Sequence, residues 1–211
     1  MEYIVSIIIG YLLGAINISY IIGKIKGFDI RNKGSQNAGA SNALILLGKA
    51  IGIFCAVFDI GKVCVAIWLT HRLYPGFETG FAITGAAGIL GHIFPFYMEF
   101  KGGKGLACLG GVVLMFSRPF FLILLAVEAV VLFVTKYICF VPMTASVIMT
   151  IVYAVSTKNI VGTVAMLIAT LTIIYKHKIN IKRIKDGTEM RISYLWNKEE
   201  ELERIGKKDQ E

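Results

Sequence analysis

Residues 3–23 read YIVSIIIGYLLGAINISYIIG, an apolar run that contains no charged side chain. About 20 apolar residues in a helix are enough to cross the hydrocarbon core of a bilayer. The run has no basic segment before it and no small-residue cleavage site before it ends, so it does not resemble a signal peptide. We therefore interpret residues 3–23 as a retained transmembrane helix.

The composition of the whole chain has the same character. Of its 211 residues, 56% are hydrophobic and 17% are charged, and the mean hydropathy is +0.70. Soluble domains contain roughly 45–50% apolar residues, so these values exclude a soluble domain. They predict an all-α protein, a polytopic bundle of transmembrane helices that lies in the cell membrane in contact with membrane lipids.

Further apolar runs predict the number of spans. They cover residues 43–71, 80–100, 106–116, 120–134, 138–155 and 160–175. Residues 106–116 are short for a span, because a helix rises about 1.5 Å per residue. Counting this run gives about seven helices, with the N-terminus outside and the C-terminus in the cytoplasm. A five-span chain, in which one hairpin fails to cross, keeps the same ends.

Charge is distributed unevenly between the loops. The chain carries 22 Lys and Arg against 14 Asp and Glu, a net charge of +8. Basic residues cluster at residues 24–33 and 176–191, whereas residues 71–78 contain one arginine. The positive-inside rule therefore places the two basic regions in the cytoplasm. The sequence has no soluble basic face interleaved with aromatic residues, so we expect no nucleic-acid partner.

The chain divides by composition into two parts. Residues 1–192 form the predicted integral membrane domain, and residues 193–211 form a charged cytoplasmic tail whose last dozen residues we expect to be solvated or frayed. The alternative is a short helix that lies on the headgroup layer through Leu195, Trp196, Leu202 and Ile205. The four cysteines show no spacing typical of a metal site, so we predict no bound metal. We also expect the protein to be a monomer.

Residues 91–105, GHIFPFYMEFKGGKG, end in a glycine-rich segment where an apolar run leaves the membrane. Gly102, Gly103 and Gly105 can leave backbone N–H groups bare against an anion. Lys104 adds a point charge. We therefore predict a phosphate-binding loop, with a flexible basic surface loop as the alternative. The Walker A pattern is not met, so ATP hydrolysis is not predicted.

Residues 29–42, DIRNKGSQNAGASN, concentrate small residues, amides and hydroxyls just before a helix is expected to begin. Ser35, Asn37 and Asn42 can donate hydrogen bonds. The helix N-terminus adds free N–H groups and the positive end of its dipole. Because a helix cap alone needs only one such residue, the segment predicts contact with an anion or a polar head group.

Residues 176–189, KHKINIKRIKDGTE, form a third polar segment. At 3.6 residues per turn, His177 and Asn180 fall on one helical stripe. A basic amphipathic helix attracted to anionic lipid is the simpler interpretation. It explains the lysines, but it does not explain the His177–Asn180 pair or the ending Gly187-x-Glu189.

Ionisable residues also lie within the apolar runs. Asp59 and Lys62 are three residues apart, so they share a helix face and can pair. At such a depth, ionisable groups usually face the bundle or a cavity. His92 lies shortly before the glycine-rich segment. For all three residues, a structural role and a functional role are both open.

Taken in order, these segments give the pattern DIR-x-x-GS-x-N-x-GA-x-N, then D-x-x-K, then GH-x-FP-x-x-x-x-FKGGKG, then H-x-x-NI-x-R-x-x-x-G-x-E. The pattern spans nearly the whole chain and resembles that of the bacterial membrane glycerol-3-phosphate acyltransferases that use acyl phosphate as donor. The resemblance implies an enzyme of phospholipid biosynthesis. Such an enzyme moves a fatty acyl group from acyl phosphate to the sn-1 hydroxyl of glycerol 3-phosphate, giving lysophosphatidate.

The resemblance also implies roles for residues at matching positions. Catalytic roles fall to Ser35, Asn37, His177 and Asn180. Binding of the substrate phosphates falls to Gly102, Gly103, Lys104, Gly105, Asn42 and Arg183, with Asp59, Lys62, His92 and Glu189 in support. The active site would face the cytoplasm and bind acyl phosphate and glycerol 3-phosphate, without a metal, nucleotide or other cofactor. The resemblance also implies that the phosphate of the acyl donor accepts the hydroxyl proton. His177 as general base is the competing possibility.

The chain departs from the family pattern at several positions. Ile45 stands where the family usually has an arginine, Ala15-Ile16-Asn17 replaces Ser-x-Pro, Cys108 replaces a threonine, and Lys176 and Lys178 replace arginines. Lysine keeps the charge of arginine but loses its bidentate geometry. Ile45 removes a cation that is expected at the phosphates, and Lys49, one helical turn further on, is a candidate replacement.

Two other classes of function fit the same residues. One is a transporter or scramblase for phosphorylated small molecules or lipids. The other is a non-catalytic paralogue that binds lipid precursors. Turnover of acyl phosphate with glycerol 3-phosphate distinguishes the enzyme from both.

Overall fold

A computed structural model describes the backbone of residues 1–208, and their side chains except at positions 195, 198, 202 and 206–208. Residues 209–211 of the predicted tail lie outside the described residues. Within residues 1–208, every regular element is helical, which confirms the predicted all-α class.

Eleven α-helices follow one another along the described chain. They are α1 (Glu2–Ala15), α2 (Ile18–Ile25), α3 (Ala40–Leu47), α4 (Lys49–Leu73), α5 (Thr79–Ile93), α6 (Leu106–Phe116), α7 (Arg118–Thr135), α8 (Phe140–Thr157), α9 (Ile160–Lys176), α10 (Lys178–Lys185) and α11 (Lys198–Lys208). Short 3-10 helices lie at Ile30–Asn32, Phe96–Met98 and Ile192–Leu195.

Six segments of the described chain are long and apolar enough to cross a membrane. They are Glu2–Ile25, Lys49–Leu73, Thr79–Met98, Arg118–Thr135, Phe140–Thr157 and Ile160–Lys185. The run at residues 106–116 is a helix of 11 residues, as short as the sequence predicts. The polytopic bundle is therefore confirmed, while the choice between seven and five crossings stays a prediction.

The first predicted span is not one continuous helix. α1 ends at Ala15 and α2 begins at Ile18, because Asn17 leaves the helical conformation and caps α2. The Asn17 side-chain oxygen accepts from the Tyr20 N–H at 2.9 Å, and its Nδ2 donates to the Ala38 carbonyl at 2.8 Å. An asparagine can thus replace the helical hydrogen bonds that the interruption removes.

Neighbouring side chains satisfy the backbone at this interruption. The Ile16 carbonyl accepts from Lys62 Nζ at 2.7 Å. The Tyr97 hydroxyl donates to the Ala15 carbonyl at 2.9 Å and accepts from the Asn17 N–H at 3.0 Å. The interruption is therefore tied to α4 and to the 3-10 helix that precedes the glycine-rich segment.

Small residues allow α1 and α5 to pack closely. A Cβ atom on Gly14 would overlap the backbone of Gly88, and one on Gly10 would overlap the Thr84 carbonyl. Close approach between glycines is typical of helix pairs in membranes, where packing replaces the hydrophobic effect as the driving force. This contact holds the first span against the helix that delivers the glycine-rich segment.

One apolar core lies among α4, α5, α6, α8 and α9. Its fully buried side chains include Ile89, Val112, Met149, Met166 and Ile173. Large apolar side chains also point outward, among them Phe133 and Ile160, which are more than 70% exposed. This pattern fits a bundle whose outer surface contacts lipid chains.

The expected solvated tail is partly replaced by a packed helix, since Glu201 and Arg204 of α11 contact the preceding chain while Glu199, Glu200 and Glu203 are exposed. Glu201, on α11, is 4% exposed, and its carboxylate accepts from the Arg191 N–H at 2.8 Å and from Ser193 Oγ at 3.2 Å. Arg204 donates to backbone carbonyls of the preceding segment. The helix therefore packs onto the chain that follows α10, which the charged sequence of the tail does not reveal.

Candidate active site

Residues from all three polar segments line one cavity of about 600 Å³. It lies where α2, α5 and α9 end. Five of the predicted site residues are on its wall: Ser35, Asn37, Gly102, Lys104 and Arg183. Arg31, Lys101 and Lys176 also line the cavity, although the sequence did not single them out as binding residues. The signal for Arg31 was present, because it belongs to the DIR triplet that opens the first segment.

The first segment is folded around Asn42, which is fully buried. Its Nδ2 donates to the Ile30 carbonyl at 2.9 Å and to the Lys33 carbonyl at 3.0 Å, while its Oδ1 accepts from the Ser35 N–H at 2.9 Å. The structure therefore places Asn42 beneath the loop and not on the cavity wall. Its amide holds the backbone that presents Ser35 and Asn37.

Arg31 joins the first segment to the second. Its guanidinium donates to Asp29 at 3.0 and 2.8 Å and to the Met98 carbonyl at 2.7 Å. Hydrogen bonds from Arg31 hold the pKa of the Asp29 carboxyl well below its usual range. Asp29 is therefore ionised at neutral pH, and it offsets part of the Arg31 charge at the cavity wall.

The glycine-rich segment does not offer the bare amides that its sequence suggests. The Gly102 N–H donates to the Ile93 carbonyl at 3.0 Å, and the Gly103 N–H donates to the His92 carbonyl at 3.1 Å. The prediction of bare N–H groups is wrong at these two positions, because the loop folds back on the end of α5. A Cβ on Gly103 would overlap the His92 imidazole, so glycine here serves close packing.

A buried charged cluster supports the loop from below. Lys62 Nζ lies 2.6 Å from Asp59 Oδ1 and 3.0 Å from His92 Nδ1, and all three side chains are almost completely buried. The predicted pairing of Asp59 with Lys62 is confirmed. His92 Nδ1 thus lies beside both members of the ion pair, 3.0 Å from Lys62 Nζ and 3.5 Å from Asp59 Oδ1. Two sides of the imidazole are thus held, by Lys62 and by the packing of Gly103.

Lys104 begins a chain of hydrogen bonds that leads away from the cavity. Its Nζ donates to Asn180 Oδ1 at 2.5 Å, and Asn180 Nδ2 donates to Glu189 Oε1 at 2.6 Å. Burial lowers the pKa of Lys104, and the negative charge of Glu189 opposes this shift. Burial raises the pKa of Glu189, against the opposing effect of Asn180 and Lys104. Glu189 and Asn180 therefore orient and stabilise the Lys104 ammonium.

His177 lies behind the cavity wall, with 3% of its surface exposed. Its Nδ1 is 2.8 Å from the Ile173 carbonyl, so Nδ1 carries the proton and donates this hydrogen bond. Nε2 is then the basic nitrogen of a neutral ring. Gly105, also behind the wall, is the N-cap residue of α6 and has a φ of +91°.

The cavity is positively charged on balance. Its wall carries the cations Arg31, Lys101, Lys104, Lys176 and Arg183. Asp29 and Glu99 are its acidic residues, and Glu99 pairs with Lys101 at 3.1 Å.

Lys49 does not supply the cation that the resemblance leads us to expect at position 45. Ile45 is half-buried in α3, and Lys49 is exposed at the start of α4. Among the described residues, neither belongs to the cavity wall. Lys176 and Arg183 instead bring positive charge from the third segment.

These features define a class, an integral membrane protein with a cationic pocket at one end of its helical bundle. The family model described as glycerol-3-phosphate acyltransferase matches residues 4–187. The chain belongs to this glycerol-3-phosphate acyltransferase family, and α11 lies beyond the matched residues.

Curated relatives carry the same name. The glycerol-3-phosphate acyltransferase of Bacillus velezensis is 38% identical over 190 residues, which cover 90% of this chain and 97% of the relative. That of Bacillus subtilis strain 168 is 35% identical over 190 residues, with the same coverage. The transport and non-catalytic alternatives are not favoured by this membership.

Solved structures agree with the fold. The crystal structure of PlsY, an integral membrane glycerol 3-phosphate acyltransferase, in its glycerol 3-phosphate form has a TM-score of 0.83 and 31% identity. The match covers 92% of this chain and 98% of that one. The lysophosphatidic acid form of PlsY gives a TM-score of 0.80 and 30% identity. The resemblance to the acyltransferase family is thus confirmed for the whole bundle.

Proposed function

We propose that the chain transfers a fatty acyl group from acyl phosphate to the sn-1 hydroxyl of glycerol 3-phosphate, in the cavity lined by the three polar segments. The observation that carries the proposal is the convergence of five cations with Ser35 and Asn37 around about 600 Å³. Both substrates are anions, and they repel one another when they meet. A cationic wall on one side of an apolar bundle meets this requirement.

In the proposed reaction, the hydroxyl oxygen of glycerol 3-phosphate attacks the acyl carbonyl carbon. An ester C–O bond forms, the bond from the acyl carbon to the phosphate oxygen breaks, and inorganic phosphate leaves. The products are lysophosphatidate and phosphate. Acyl phosphate is already activated, so the protein chiefly aligns two anions and neutralises their repulsion.

The residues divide this work by their position. Lys104 and Arg183 bind the phosphate of glycerol 3-phosphate, and Lys176 adds charge at the same wall. Ser35 and Asn37 donate to the reacting groups from the opposite segment. Glycine at 102, 103 and 105 shapes the loop that carries Lys104, and Asn42 holds the loop that carries Ser35.

Two groups are candidates to accept the hydroxyl proton of glycerol 3-phosphate. The phosphate that leaves carries it away as part of inorganic phosphate, which needs no protein base. Alternatively, His177 accepts it at Nε2, because Nδ1 is committed to the Ile173 carbonyl. The burial of His177 behind the wall favours the phosphate as acceptor.

We further propose that the protein is a monomer in the cell membrane, with this cavity open to the cytoplasm. The support for the orientation is the distribution of charge, since the loops that line the cavity contain the two basic clusters. The monomer stays a prediction.

A direct assay tests the function. Purified protein is incubated with palmitoyl phosphate and labelled glycerol 3-phosphate, and labelled lysophosphatidate is measured. We expect product from the wild type and a KM for glycerol 3-phosphate raised at least about tenfold in Lys104→Met, because a hydrogen bond to a charged group contributes about 1.5–3 kcal/mol. The matched control is Lys158→Gln, an exposed lysine in the loop between α8 and α9.

Two results would contradict the proposal. If wild-type protein binds glycerol 3-phosphate but forms no lysophosphatidate, the result supports the non-catalytic alternative. An unchanged KM in Lys104→Met would remove Lys104 from the acceptor site.

A further inference from the structure

Arg204 of α11 reaches back to the turn that carries Glu189. Its Nη1 donates to the Gly187 carbonyl at 2.5 Å, and its Nη2 donates to the Glu189 carbonyl at 2.7 Å. The same Nη2 lies 2.6 Å from Glu201 Oε1. One guanidinium thus bridges two backbone carbonyls that flank Thr188, a geometry for which its planar fork of donors is suited.

Glu201 completes the attachment. Its carboxylate accepts from the Arg191 N–H and from Ser193 Oγ, which lie two and four residues after Glu189 in the chain. Burial would raise the pKa of Glu201, but hydrogen bonds from Arg204 and the Arg191 amide outweigh it and lower the pKa. The carboxylate is therefore ionised at neutral pH and holds Arg204 in place.

The turn is fixed on its other edge as well. The amides of Thr188 and Glu189 donate to the Arg183 carbonyl at 2.8 and 3.1 Å. Gly187 has a φ of +74°, so the chain reverses sharply there. The backbone of Glu189 is therefore held on both sides: its N–H donates to the Arg183 carbonyl, and its carbonyl accepts from Arg204.

These contacts form one continuous path to the cavity. The path runs from Arg204 to the Glu189 backbone, from the Glu189 carboxylate to Asn180, and from Asn180 to Lys104. We propose that Arg204 is a positioning residue for the substrate-binding lysine, acting on Lys104 through Glu189 and Asn180. The helix that carries Arg204 lies beyond residues 4–187, which the family model matches.

The kinetic part of the test rests on the proposed function. In Arg204→Ala, we expect the KM for glycerol 3-phosphate to rise about fivefold to tenfold, with kcat within about twofold and the KM for acyl phosphate unchanged. The KM of Arg204→Lys for glycerol 3-phosphate should lie between those of the wild type and Arg204→Ala, because lysine restores the charge but lacks the planar fork. Glu199→Gln, an exposed residue on the same helix, is the matched control.

A double-mutant cycle separates positioning from general destabilisation. If Arg204 acts through Lys104, adding Arg204→Ala to Lys104→Met should change the KM by less than about twofold further. If the KM of the double variant instead rises by the product of the two single-variant factors, the proposed path is overturned.

Chemical labelling gives a readout that needs no turnover. Acetic anhydride is applied briefly to the folded protein, and acetylation of each lysine is measured by mass spectrometry. In Arg204→Ala, we expect Lys104 to be labelled at least about threefold faster, because release from Asn180 exposes its amine. Lys158 should be unchanged. Equal labelling of Lys104 in variant and wild type would overturn the inference, whereas a wild type without acyltransferase activity would refute the proposed function and leave labelling to decide the inference.

Discussion

Gly103→Ala provides a sharp test of how the glycine-rich segment works. A methyl group on Gly103 would lie about 2.8 Å from Cε1 and 2.9 Å from Cδ2 of His92, and nearer still to its Nε2. Carbon atoms in contact are normally about 3.5–4.0 Å apart. The imidazole cannot easily yield, because its other side is 3.0 Å from Lys62 Nζ and 3.5 Å from Asp59 Oδ1.

The expected cost follows from these distances. The methyl group and the ring must separate by about 1 Å, and overpacking of this kind costs roughly 1–3 kcal/mol. If the loop moves instead, Lys104 moves with it, since it is the next residue. A displacement of about 1 Å at a binding group can reduce activity about 100-fold. We therefore expect a fall of at least about tenfold in kcat/KM for glycerol 3-phosphate.

The assay is lysophosphatidate formation, combined with thermal unfolding in detergent. His92→Ala removes the ring, so Gly103→Ala added to it should cost less than it does in the wild type. Gly61→Ala is the control, because a Cβ there meets nothing within 4 Å. Wild-type kinetics in Gly103→Ala, or a full additive loss in the double variant, would refute the packing role.

Three further substitutions test other parts of the site. Glu189→Gln removes a negative charge that keeps the pKa of Lys104 from falling further on burial, so the pKa of Lys104 should be lower in this variant. The KM for glycerol 3-phosphate, which rises when Lys104 loses its proton, should therefore begin to rise at a lower pH than in the wild type. A pH profile identical to that of the wild type contradicts this coupling. Asn42→Ala removes the three hydrogen bonds of the buried Asn42 side chain, worth about 1 kcal/mol each, so we expect about 3 kcal/mol lower stability in thermal or denaturant unfolding together with reduced activity. An unchanged unfolding midpoint with an altered KM would instead indicate that Asn42 binds substrate directly. Ile45→Arg introduces the cation that the resemblance leads us to expect and should lower the KM for glycerol 3-phosphate up to about tenfold, as for a hydrogen bond to a charged group. An unchanged KM would mean that the cations already on the wall suffice.

The fold could be predicted closely because apolar runs of membrane length leave few alternatives. Residues 120–134 and 138–155 became α7 (Arg118–Thr135) and α8 (Phe140–Thr157), with ends that differ by a few residues. The interruption at Asn17 was not predicted. It depends on Tyr97 and Lys62, which are far away in sequence and supply the missing hydrogen bonds.

The site was predictable in its parts more than in its contacts. The charge and motif order of the three segments indicated a common anionic ligand, and five of their residues do share one cavity. The uses of individual amides could not be foreseen. Gly103 and Asn42 carry the expected residue types, but their partners are set by tertiary packing against His92 and Ile30. The contact of Arg204 with the Glu189 turn likewise depends on how the chain returns after Arg191.

The interruption in the first span also constrains how the protein is assembled. In a bilayer, an unsatisfied backbone group costs several kcal/mol, since no water is present to replace its partner. The Ala15 and Ile16 carbonyls obtain their partners from Tyr97 and Lys62, which are synthesised later. The backbone of the first span therefore lacks these partners until α4 and the 3-10 helix Phe96–Met98 pack against it. We therefore expect the first span to reach its final conformation only after the later helices have inserted, although its residues are the first to leave the ribosome.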